Sequence, residues 1–352
     1  MTAWILNNIN DLQLKNAPIP AITEHEALIH VQAAGICGSD IPRIYKTGAH
    51  CHPLIVGHEF SGIVEAVGNT ANKNWIGKRV GIFPLIPCKQ CISCQKHQYE
   101  LCRNYSYLGS RTNGGFAEYA AVPVENLIEL PENVSYAEAA MLEPMAVAVH
   151  AIRRLNIHPT DTVAVCGLGT IGLFITMFLQ EASLKNIFAI GNKEFQKQKI
   201  SEFGIPKQHY CDSTAQSADI WLMEQTNSVG VNVFIECVGK NETYTQAINT
   251  AAPNGSIILV GNPYSNMELD KNTYWKLLRS QLTVKGTWNS SFTHTPDDDW
   301  HYVLDRLSHK KIAPATVISH TFPLEELEQG LQIMRDKTED YGKIMCLGTV
   351  NK

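Results

Sequence analysis

Four cysteines lie close together in the segment CKQCISCQKHQYELC, residues 88–102: Cys88, Cys91, Cys94 and Cys102. Their C-x2-C-x2-C-x7-C spacing lets one loop wrap four thiolates around a tetrahedral ion, and Zn²⁺ held by four sulfurs is a closed, structural site. An iron–sulfur cluster is one alternative, but Pro87 precedes the segment, whereas the bacterial ferredoxin pattern has its proline after the last cysteine. Four unrelated buried cysteines are the other alternative.

A second group of potential metal ligands is spread over three short motifs. Cys37 lies in GICGSD, His58 and Glu59 lie in GHEFSG, and Glu143 lies in MLEPM. Taken singly, each has an ordinary explanation as a core cysteine, a hydrogen-bonded core histidine or a solvated carboxylate. Taken together they offer sulfur, nitrogen and oxygen donors, a mixed set typical of a catalytic zinc with a position open to water or substrate.

A glycine-rich loop follows the apolar segment TVAVC, and its residues are Gly167, Leu168, Gly169, Thr170, Ile171 and Gly172. A lone G-x-G-x-x-G match is weak, and a purely structural turn is the alternative. Here a predicted strand precedes the loop and a predicted helix follows it, which is the setting of a dinucleotide-binding loop. The glycines then permit a tight turn, and the amides at the helix start bind the pyrophosphate.

The elements that must position these motifs change in type along the chain. Residues 26–124 contain alternating apolar and polar runs separated by Gly, Pro and Asn, which predicts a β-rich region. Residues 135–155 predict a helix that begins with a capping box and is interrupted near Pro144. Between residues 161 and 288 strands and helices alternate, which predicts an α/β fold with a doubly wound parallel sheet.

Composition restricts the class of protein. The chain has 352 residues, 44% of them hydrophobic, and a formal net charge of −5 without a long basic block, so we expect no nucleic-acid partner. The N-terminal MTAWILNNINDLQ does not resemble a signal peptide, and no apolar run approaches about 18 residues, so we expect a cytoplasmic protein with no membrane partner. The cytosol keeps thiols reduced, which favours metal binding over disulfides.

The order of these motifs resembles the zinc-dependent medium-chain alcohol/polyol dehydrogenases, and the resemblance covers nearly the whole chain. CGSDIPRIYKTGAH, GHEFSG, PLIPC and GSRTNGGFAEY look closest to polyol-phosphate dehydrogenases of the galactitol-1-phosphate 5-dehydrogenase type, with sorbitol dehydrogenases as near neighbours. The resemblance implies a GroES-like β-rich catalytic domain, residues 1–147 and 289–352, carrying a structural zinc lobe at 88–102. A Rossmann domain with a doubly wound parallel sheet, residues 148–288, is inserted into it.

The resemblance also implies roles for the site residues. Cys37 and His58 would bind the catalytic zinc, and Glu59 and Glu143 would be direct ligands or would exchange with the zinc-bound water. Asp40 would steady the metal histidine, and the four clustered cysteines would hold a second, structural zinc. Ser39 would pass the substrate proton outward, and we extend that path to His50 as a hypothesis. The remaining five cysteines need no role beyond packing.

The implied activity is reversible oxidation of a secondary alcohol of a polyol or polyol phosphate to a ketone, with hydride transfer to NAD(P). Charge-assisted bonds to a phosphate could come from Arg43, Lys46, His50 and Arg111, although each alone is also an ordinary surface charge. We add Tyr45 and Trp288 to the substrate residues. Sorbitol dehydrogenases would carry Arg-Tyr where this chain has Trp288-Asn289, which argues against plain sorbitol. We expect a homodimer or homotetramer.

The cofactor prediction rests on the second strand of the Rossmann domain. NAD-dependent domains usually end this strand with an acid that binds the ribose 2′-OH, but here it ends at Gly191, followed by Asn192 and Lys193. The absence of the acid removes repulsion from a 2′-phosphate, so we predict NADP(H) as preferred and NAD(H) as accepted less well. The alternative is that Lys193 is a solvated helix-start residue. We also assign Lys343 to the cofactor site.

A protein of this fold that binds nucleotide without zinc chemistry is the alternative class. Such a protein would be expected to lack the metal ligands, and this chain carries the whole set. The sequence therefore favours an enzyme.

Overall fold

A computed structural model describes residues 1–348. The chain forms two compact units. The first unit comprises Met1–Glu143 and Ser291–Lys352, of which the structure describes residues up to 348. The second unit comprises Pro144–Ser290. Among the described residues, no helix has both the length and the apolar character needed to cross a bilayer.

The N-terminal part of the first unit consists mainly of strands, as its alternating pattern predicts. They are β1 (Thr2–Asn8), β2 (Asp11–Asn16), β3 (Glu26–Ile36), β4 (Leu54–Ile55), β5 (Glu59–Val67), β6 (Arg79–Ile82), β7 (Leu85–Ile86), β8 (Ser106–Tyr107), β9 (Tyr119–Pro123) and β10 (Leu127–Glu129). The hairpin of β1 and β2 precedes the region that the sequence predicts as β-rich. Strand β1 has buried residues on both faces, Ala3 on one and Trp4 and Leu6 on the other, so it lacks the alternation of a half-buried strand.

Helices in this part are short: α1 (Asp40–Pro42), α2 (Ile92–Gln95) and α3 (Tyr136–Ala140). A π-helical turn, Arg43–Thr47, continues directly from α1. The predicted capping box is present, since Ser135 Oγ accepts from Glu138 N at 3.2 Å and Ser135 N donates to Glu138 Oε2 at 2.9 Å.

The predicted helix interruption lies slightly earlier than Pro144. Helix α3 ends at Ala140, and α4 runs from Leu142 to Arg153, so Pro144 stands in the first turn of the new helix. A proline is tolerated there because the N–H groups of a first turn have no partner within the helix.

The second unit is built on a parallel sheet. Its strands are β11 (Thr162–Cys166), β12 (Asn186–Gly191), β13 (Tyr210–Asp212), β14 (Val231–Glu236), β15 (Ala251–Leu259) and β16 (Thr283–Gly286). The helices are α5 (Thr170–Glu181), α6 (Glu194–Glu202), α7 (Ala218–Gln225), α8 (Asn241–Thr250) and α9 (Lys271–Arg279). The spatial order β13-β12-β11-β14-β15-β16 is that of a doubly wound dinucleotide-binding sheet.

The C-terminal segment returns to the first unit and completes its sheet. It contains α10 (Asp299–Ser308), β17 (Ile318–Phe322), α11 (Leu327–Asp336) and β18 (Lys343–Leu347). Within residues 1–348 the main sheet of this unit has the order β10-β6-β5-β3-β18-β17, with β9 also paired to β3. Strand β3 thus lies between β5 and β18, and both pairings are antiparallel.

Close packing around the glycine loop distinguishes two of its glycines. A Cβ at Gly172 would lie 2.0 Å from the carbonyl oxygen of Gly167, whereas a Cβ at Gly169 would meet nothing within 4 Å. Backbone cannot yield as a flexible side chain can, so position 172 requires glycine for packing. Position 169 stays open on the side where a ligand would approach.

We expect Gly172→Ala to destabilise the second unit by about 1–3 kcal/mol, the usual cost of overpacking, although alanine is the better helix former. Gly169→Ala is the matched control and should change the free energy of unfolding by less than about 0.5 kcal/mol. Urea unfolding, with hydrogen exchange of β11 and α5 to localise the effect, measures both. Equal free energies of unfolding for Gly172→Ala and Gly169→Ala would contradict the requirement for glycine at position 172.

Candidate active site

Across residues 1–348, two groups of three or more potential metal ligands have donor atoms within 4.8 Å of one another. One contains Cys88, Cys91, Cys94 and Cys102, and the other contains Cys37, His58 and Glu59. Both are sets that the sequence predicts as zinc ligands. Glu143, the further predicted ligand, is not part of the second group.

The four-cysteine group has the dimensions of a metal site. Sulfur–sulfur distances are 3.6 Å for Cys91–Cys94, 3.9 Å for Cys91–Cys102 and 4.0 Å for Cys88–Cys94, and all four are free thiols. A tetrahedron with metal–sulfur bonds of about 2.3 Å has edges of about 3.8 Å. Hydrogen bonds from the backbone of Cys94 and Arg103 lower the pKa of Cys91 to about 6, whereas burial raises the pKa of Cys94 to about 12 and also raises that of Cys102.

The second group is assembled by two neighbouring strands. Cys37 directly follows β3, and His58 and Glu59 lie at the start of β5, where Gly35 pairs with Glu59. His58 is 4% exposed and Glu59 is 1% exposed, so both are withdrawn from solvent. The donor set of one thiol, one imidazole and one carboxylate fits a zinc ion with a position left open.

Asp40 lies behind His58, as the resemblance implies. Its carboxylate is fully buried, accepts from Cys37 N at 3.0 Å and faces His58 Nδ1 at 3.5 Å. Burial alone would raise the pKa of Asp40, but His58 and Arg43 outweigh it and the pKa is lowered. Burial opposes the charged imidazole of His58, yet Asp40 and Cys37 hold its pKa well above the usual value.

Lys343, which the sequence analysis assigns to the cofactor site, is paired with Glu59. Lys343 is 1% exposed, and its ammonium donates to Glu59 Oε2 and, at 2.9 Å, to the carbonyl oxygen of Ile36. Its assignment to the cofactor site stays a prediction. The pair joins residues 284 positions apart, so no local signal in the sequence reveals it.

Glu143 has a partner that the sequence analysis missed. Tyr107 OH donates to Glu143 Oε1 at 3.0 Å, and the Tyr107 ring lies 5.7 Å from the ring of His58. Burial raises the pKa of Glu143 above its ordinary value, and burial together with Glu143 raises that of Tyr107 well above its own. A tyrosine in NYSYLGS stands in no recognisable motif, so only the fold indicates it.

The two predicted proton-transfer residues, Ser39 and His50, have different neighbours. Ser39 Oγ donates to Cys37 Sγ at 3.3 Å, so the hydroxyl lies beside a predicted metal ligand. His50 is exposed, and its Nδ1 lies 3.5 Å from Ser110 Oγ. The structure places Ser39 next to the ligand group and His50 against a different loop.

The predicted substrate residues have different individual surroundings. Arg43 is bound to Asp40, the guanidinium of Arg111 lies 4.5 Å from the Tyr105 ring centroid, and that of Arg335 lies 4.7 Å from the Tyr45 centroid. Lys46 is exposed on the π-helical turn. Trp288 belongs to the second unit and is 53% exposed.

At the predicted cofactor edge, neutral side chains contact the end of β12, and Asp212 of β13 pairs with Gly191. Asn192 N donates to Gln196 Oε1 at 2.9 Å, Ser213 Oγ donates to Gly191 O at 3.0 Å, and Tyr210 OH donates to Lys193 O at 3.1 Å. Gln196, which is buried, was not recognised from the sequence. Thr170, Ile171 and Gly172 form the first turn of α5. The backbone amides of a first turn have no partner within the helix, so they point out of its N-terminal end.

Comparison with known proteins gives matches along nearly the whole chain. The family model of the alcohol dehydrogenase GroES-like domain matches residues 23–132, and that of zinc-binding dehydrogenases matches residues 170–309. Galactitol 1-phosphate 5-dehydrogenase of Escherichia coli K12 is 31% identical over 91% of this chain and 92% of its own. L-threonine 3-dehydrogenase of Bacillus subtilis is 32% identical over 95% and 94%.

Solved structures agree in fold. Galactitol-1-phosphate dehydrogenase from Escherichia coli superposes with a TM-score of 0.89 at 29% identity, covering 99% of this chain and 100% of the other. A zinc-binding dehydrogenase from Sinorhizobium meliloti 1021 bound to NADP has a TM-score of 0.89 at 26% identity and covers 98% of both chains. An alcohol dehydrogenase from Escherichia coli CFT073 complexed with NADH has the same score and identity and covers 99% of both.

These matches confirm the predicted combination of a GroES-like region with a Rossmann sheet. Matched relatives act on a sugar-alcohol phosphate in one case and on an amino acid in another, so membership does not define the substrate. The chain belongs to the zinc-dependent medium-chain alcohol and polyol dehydrogenase family of oxidoreductases.

Proposed function

We propose that this protein is a dehydrogenase that reversibly oxidises a secondary alcohol of a polyol or polyol phosphate to a ketone, with hydride transfer to NAD(P). The observation that carries the proposal is the convergence of Cys37, His58 and Glu59 within 4.8 Å, beside the buried Glu143. Zinc held by these residues would supply a Lewis acid that lowers the pKa of a bound alcohol.

The charges around the site support a divalent cation there. Four buried or half-buried groups can carry negative charge: Cys37, Asp40, Glu59 and Glu143. Arg43 on Asp40 and Lys343 on Glu59 are two cations that face them, and His58, whose pKa is raised by Asp40 and Cys37 against the effect of burial, can carry a third positive charge only when it binds no metal. Because unpaired buried charge is costly, the excess of acidic groups favours a site that is balanced by a dication.

Residues of this chain would orient the substrate and carry its proton. Ser39 Oγ lies within hydrogen-bonding distance of Cys37 Sγ, so it is placed to accept a proton beside the metal ligand. Glu143, held by Tyr107, would bind a hydroxyl adjacent to the one oxidised. Such a contact favours polyols over simple alcohols, because an alcohol without that hydroxyl leaves a buried polar group unpaired.

The zinc assignment can be tested by a matched pair of cysteine variants. Wild-type protein should contain about two zinc ions per chain, one at each ligand group. Cys37→Ala should stay folded, lose one ion and lose about a thousandfold or more in kcat/KM, since Lewis-acid stabilisation is worth several kcal/mol. Cys91→Ser should lose the other ion together with thermal stability.

Atomic emission analysis measures the zinc content of the three proteins, and thermal unfolding measures their stability. Normal turnover of Cys37→Ala would overturn the catalytic site, and an unchanged zinc content and stability of Cys91→Ser would overturn the structural one. About one zinc or none in wild type would favour a nucleotide-binding protein without catalysis.

We propose a phosphorylated polyol as the preferred substrate, on the similarity to galactitol 1-phosphate 5-dehydrogenase. The structure modifies the set of cations that could bind the phosphate. Arg43 is bound to the buried Asp40, whereas His50 and Arg111 lie on segments joined by the hydrogen bond from His50 N to Ser110 O at 3.4 Å. Lys46 is exposed nearby in sequence. A free polyol such as sorbitol, or another secondary alcohol, is the alternative substrate.

A panel of free and phosphorylated polyols tests the substrate proposal. We expect kcat/KM for galactitol 1-phosphate to exceed that for galactitol by about 10–150-fold, the equivalent of one charge-assisted hydrogen bond. Arg111→Gln should narrow that ratio. Higher kcat/KM for the free polyols throughout the panel would refute a phosphate subsite without affecting the assignment as a dehydrogenase.

We propose NADP(H) as the preferred cofactor, because no carboxylate stands at Gly191 and Lys193 follows two positions later. Similar structures contain NADP in one case and NADH in another, so the family does not decide the question. A Cβ at Gly191 would lie 2.5 Å from Gln196 Oε1 and 2.9 Å from Tyr210 OH. Any substitution there therefore has a steric effect as well as an electrostatic one.

Comparing Gly191→Asp with Gly191→Ala separates these two effects. We expect wild type and Gly191→Ala to favour NADP, and Gly191→Asp to shift the ratio of kcat/KM values towards NAD, since its carboxylate repels a 2′-phosphate. A wild-type preference for NAD of about tenfold or more, worth about 1.4 kcal/mol, would contradict the proposal. So would an unchanged ratio in Gly191→Asp.

Assembly into a homodimer or homotetramer stays a prediction. It is supported by the large apolar side chains that α9 exposes in the second unit, Tyr274, Trp275 and Leu278. Exposed apolar patches of this kind commonly mark contacts between protein surfaces. A cytoplasmic location likewise stays a prediction.

A further inference from the structure

Arg43 is committed to a buried carboxylate rather than to the solvent-facing side of its segment. Its Nη1 donates to Asp40 Oδ1 at 2.5 Å, and its side chain is only 15% exposed. Arg43 has helical φ and ψ at the end of α1, so Arg43 and Asp40, three residues apart, are neighbours on one face of that turn. A guanidinium held there is poorly placed to serve as a free phosphate ligand.

Asp40 in turn connects Arg43 to the metal-ligand group. One carboxylate oxygen accepts from Cys37 N, and the other faces both Arg43 and His58 Nδ1, the latter at 3.5 Å. Since Nδ1 faces Asp40, Nε2 is the nitrogen that remains to bind a metal. His58 Nδ1 is buried and has no hydrogen-bond partner, so Asp40 is the acceptor that stands opposite it.

We infer that Arg43 is a positioning residue for the catalytic metal, acting through Asp40 on the orientation of His58. Histidines that bind metals almost always donate their other N–H to a carboxylate or carbonyl, which sets the tautomer and the ring orientation. Asp40 is completely buried, and a buried carboxylate keeps its place only if its own charge is compensated. Arg43 supplies that charge whether or not His58 is protonated.

The planar guanidinium is better suited to this task than an ammonium. It presents several donors in a fixed fork, and it stays charged at every working pH. Lysine at position 43 would keep the charge but lose the fork, and glutamine would lose the charge but keep a donor. These two substitutions therefore separate compensation of charge from orientation.

The inference rests on the proposed catalytic zinc, and its test reads out the metal directly. Zinc release to a chromogenic chelator should show two phases in wild type, with the four-cysteine site as an internal reference. Arg43→Gln should accelerate release from the catalytic site by about 10–100-fold, the usual cost of losing such an outer contact, and leave the other phase unchanged. Arg43→Lys should fall between Arg43→Gln and wild type.

A double-mutant cycle shows whether Arg43 acts through Asp40. In an Asp40→Asn background, where no buried charge needs compensation, Arg43→Gln should add little further acceleration. The absorption bands of protein with Co²⁺ at the catalytic site should shift in Arg43→Gln, because they report ligand orientation. Arg306 makes a pair of the same 2.5 Å length with Asp305 on α10, so Arg306→Gln is the matched control and should change neither reading.

Three outcomes are distinguishable. Wild type that holds zinc only at the four cysteines defeats the proposed catalytic site itself. Wild type that holds both ions, with wild-type release and an unshifted cobalt spectrum in Arg43→Gln, overturns the role of Arg43 alone. Unchanged zinc release together with a raised KM for galactitol 1-phosphate, but not for galactitol, identifies Arg43 as a phosphate ligand. That result also overturns its role as a positioning residue.

Discussion

The register of three antiparallel strands, β5, β3 and β18, holds the candidate site together. Gly35 pairs with Glu59 on one side and with Met345 on the other, and Ile36 pairs with Ile344. A slip of one residue would turn every side chain of a strand to the opposite face. The ligand group and the Glu59–Lys343 pair therefore exist only in this register.

Gly35 shows how closely the strands constrain one another. A Cβ at this position would lie 2.4 Å from Glu59 Oε2 and 2.6 Å from Lys343 Cε, so the absence of a side chain creates the space for the ion pair. The apolar side chains of the same sheet keep water away from these charges. Interactions between charges strengthen in such surroundings, and any charge left unpaired becomes costly.

Each carboxylate of the site accordingly has its own partner: Arg43 for Asp40, Lys343 for Glu59 and Tyr107 for Glu143. These partners hold the three carboxylates in place around the potential metal ligands Cys37, His58 and Glu59. The second unit uses a different physical device, since backbone amides at the start of α5, rather than side-chain charges, face the opening of the glycine loop. Under the proposed function, phosphate binding there would depend on backbone geometry, and the choice between NADP and NAD would depend on single side chains near Gly191.

Local patterns in the sequence were sufficient for five of the six strands of the Rossmann sheet, the capping box at Ser135 and both groups of potential ligands. Strand periodicity, glycine spacing and cysteine spacing are properties of neighbouring residues, so they can be recognised without knowledge of the fold. Three elements of this unit, β13, α7 and α9, went unrecognised, because segments of three to nine residues carry little periodic signal. Only the tertiary structure paired Lys343 with Glu59, Tyr107 with Glu143 and Arg43 with Asp40. The first two pairs join residues 284 and 36 positions apart, so strand register and backbone path decide them. Arg43 and Asp40 are only three positions apart, but the burial that commits them to each other is decided by the fold.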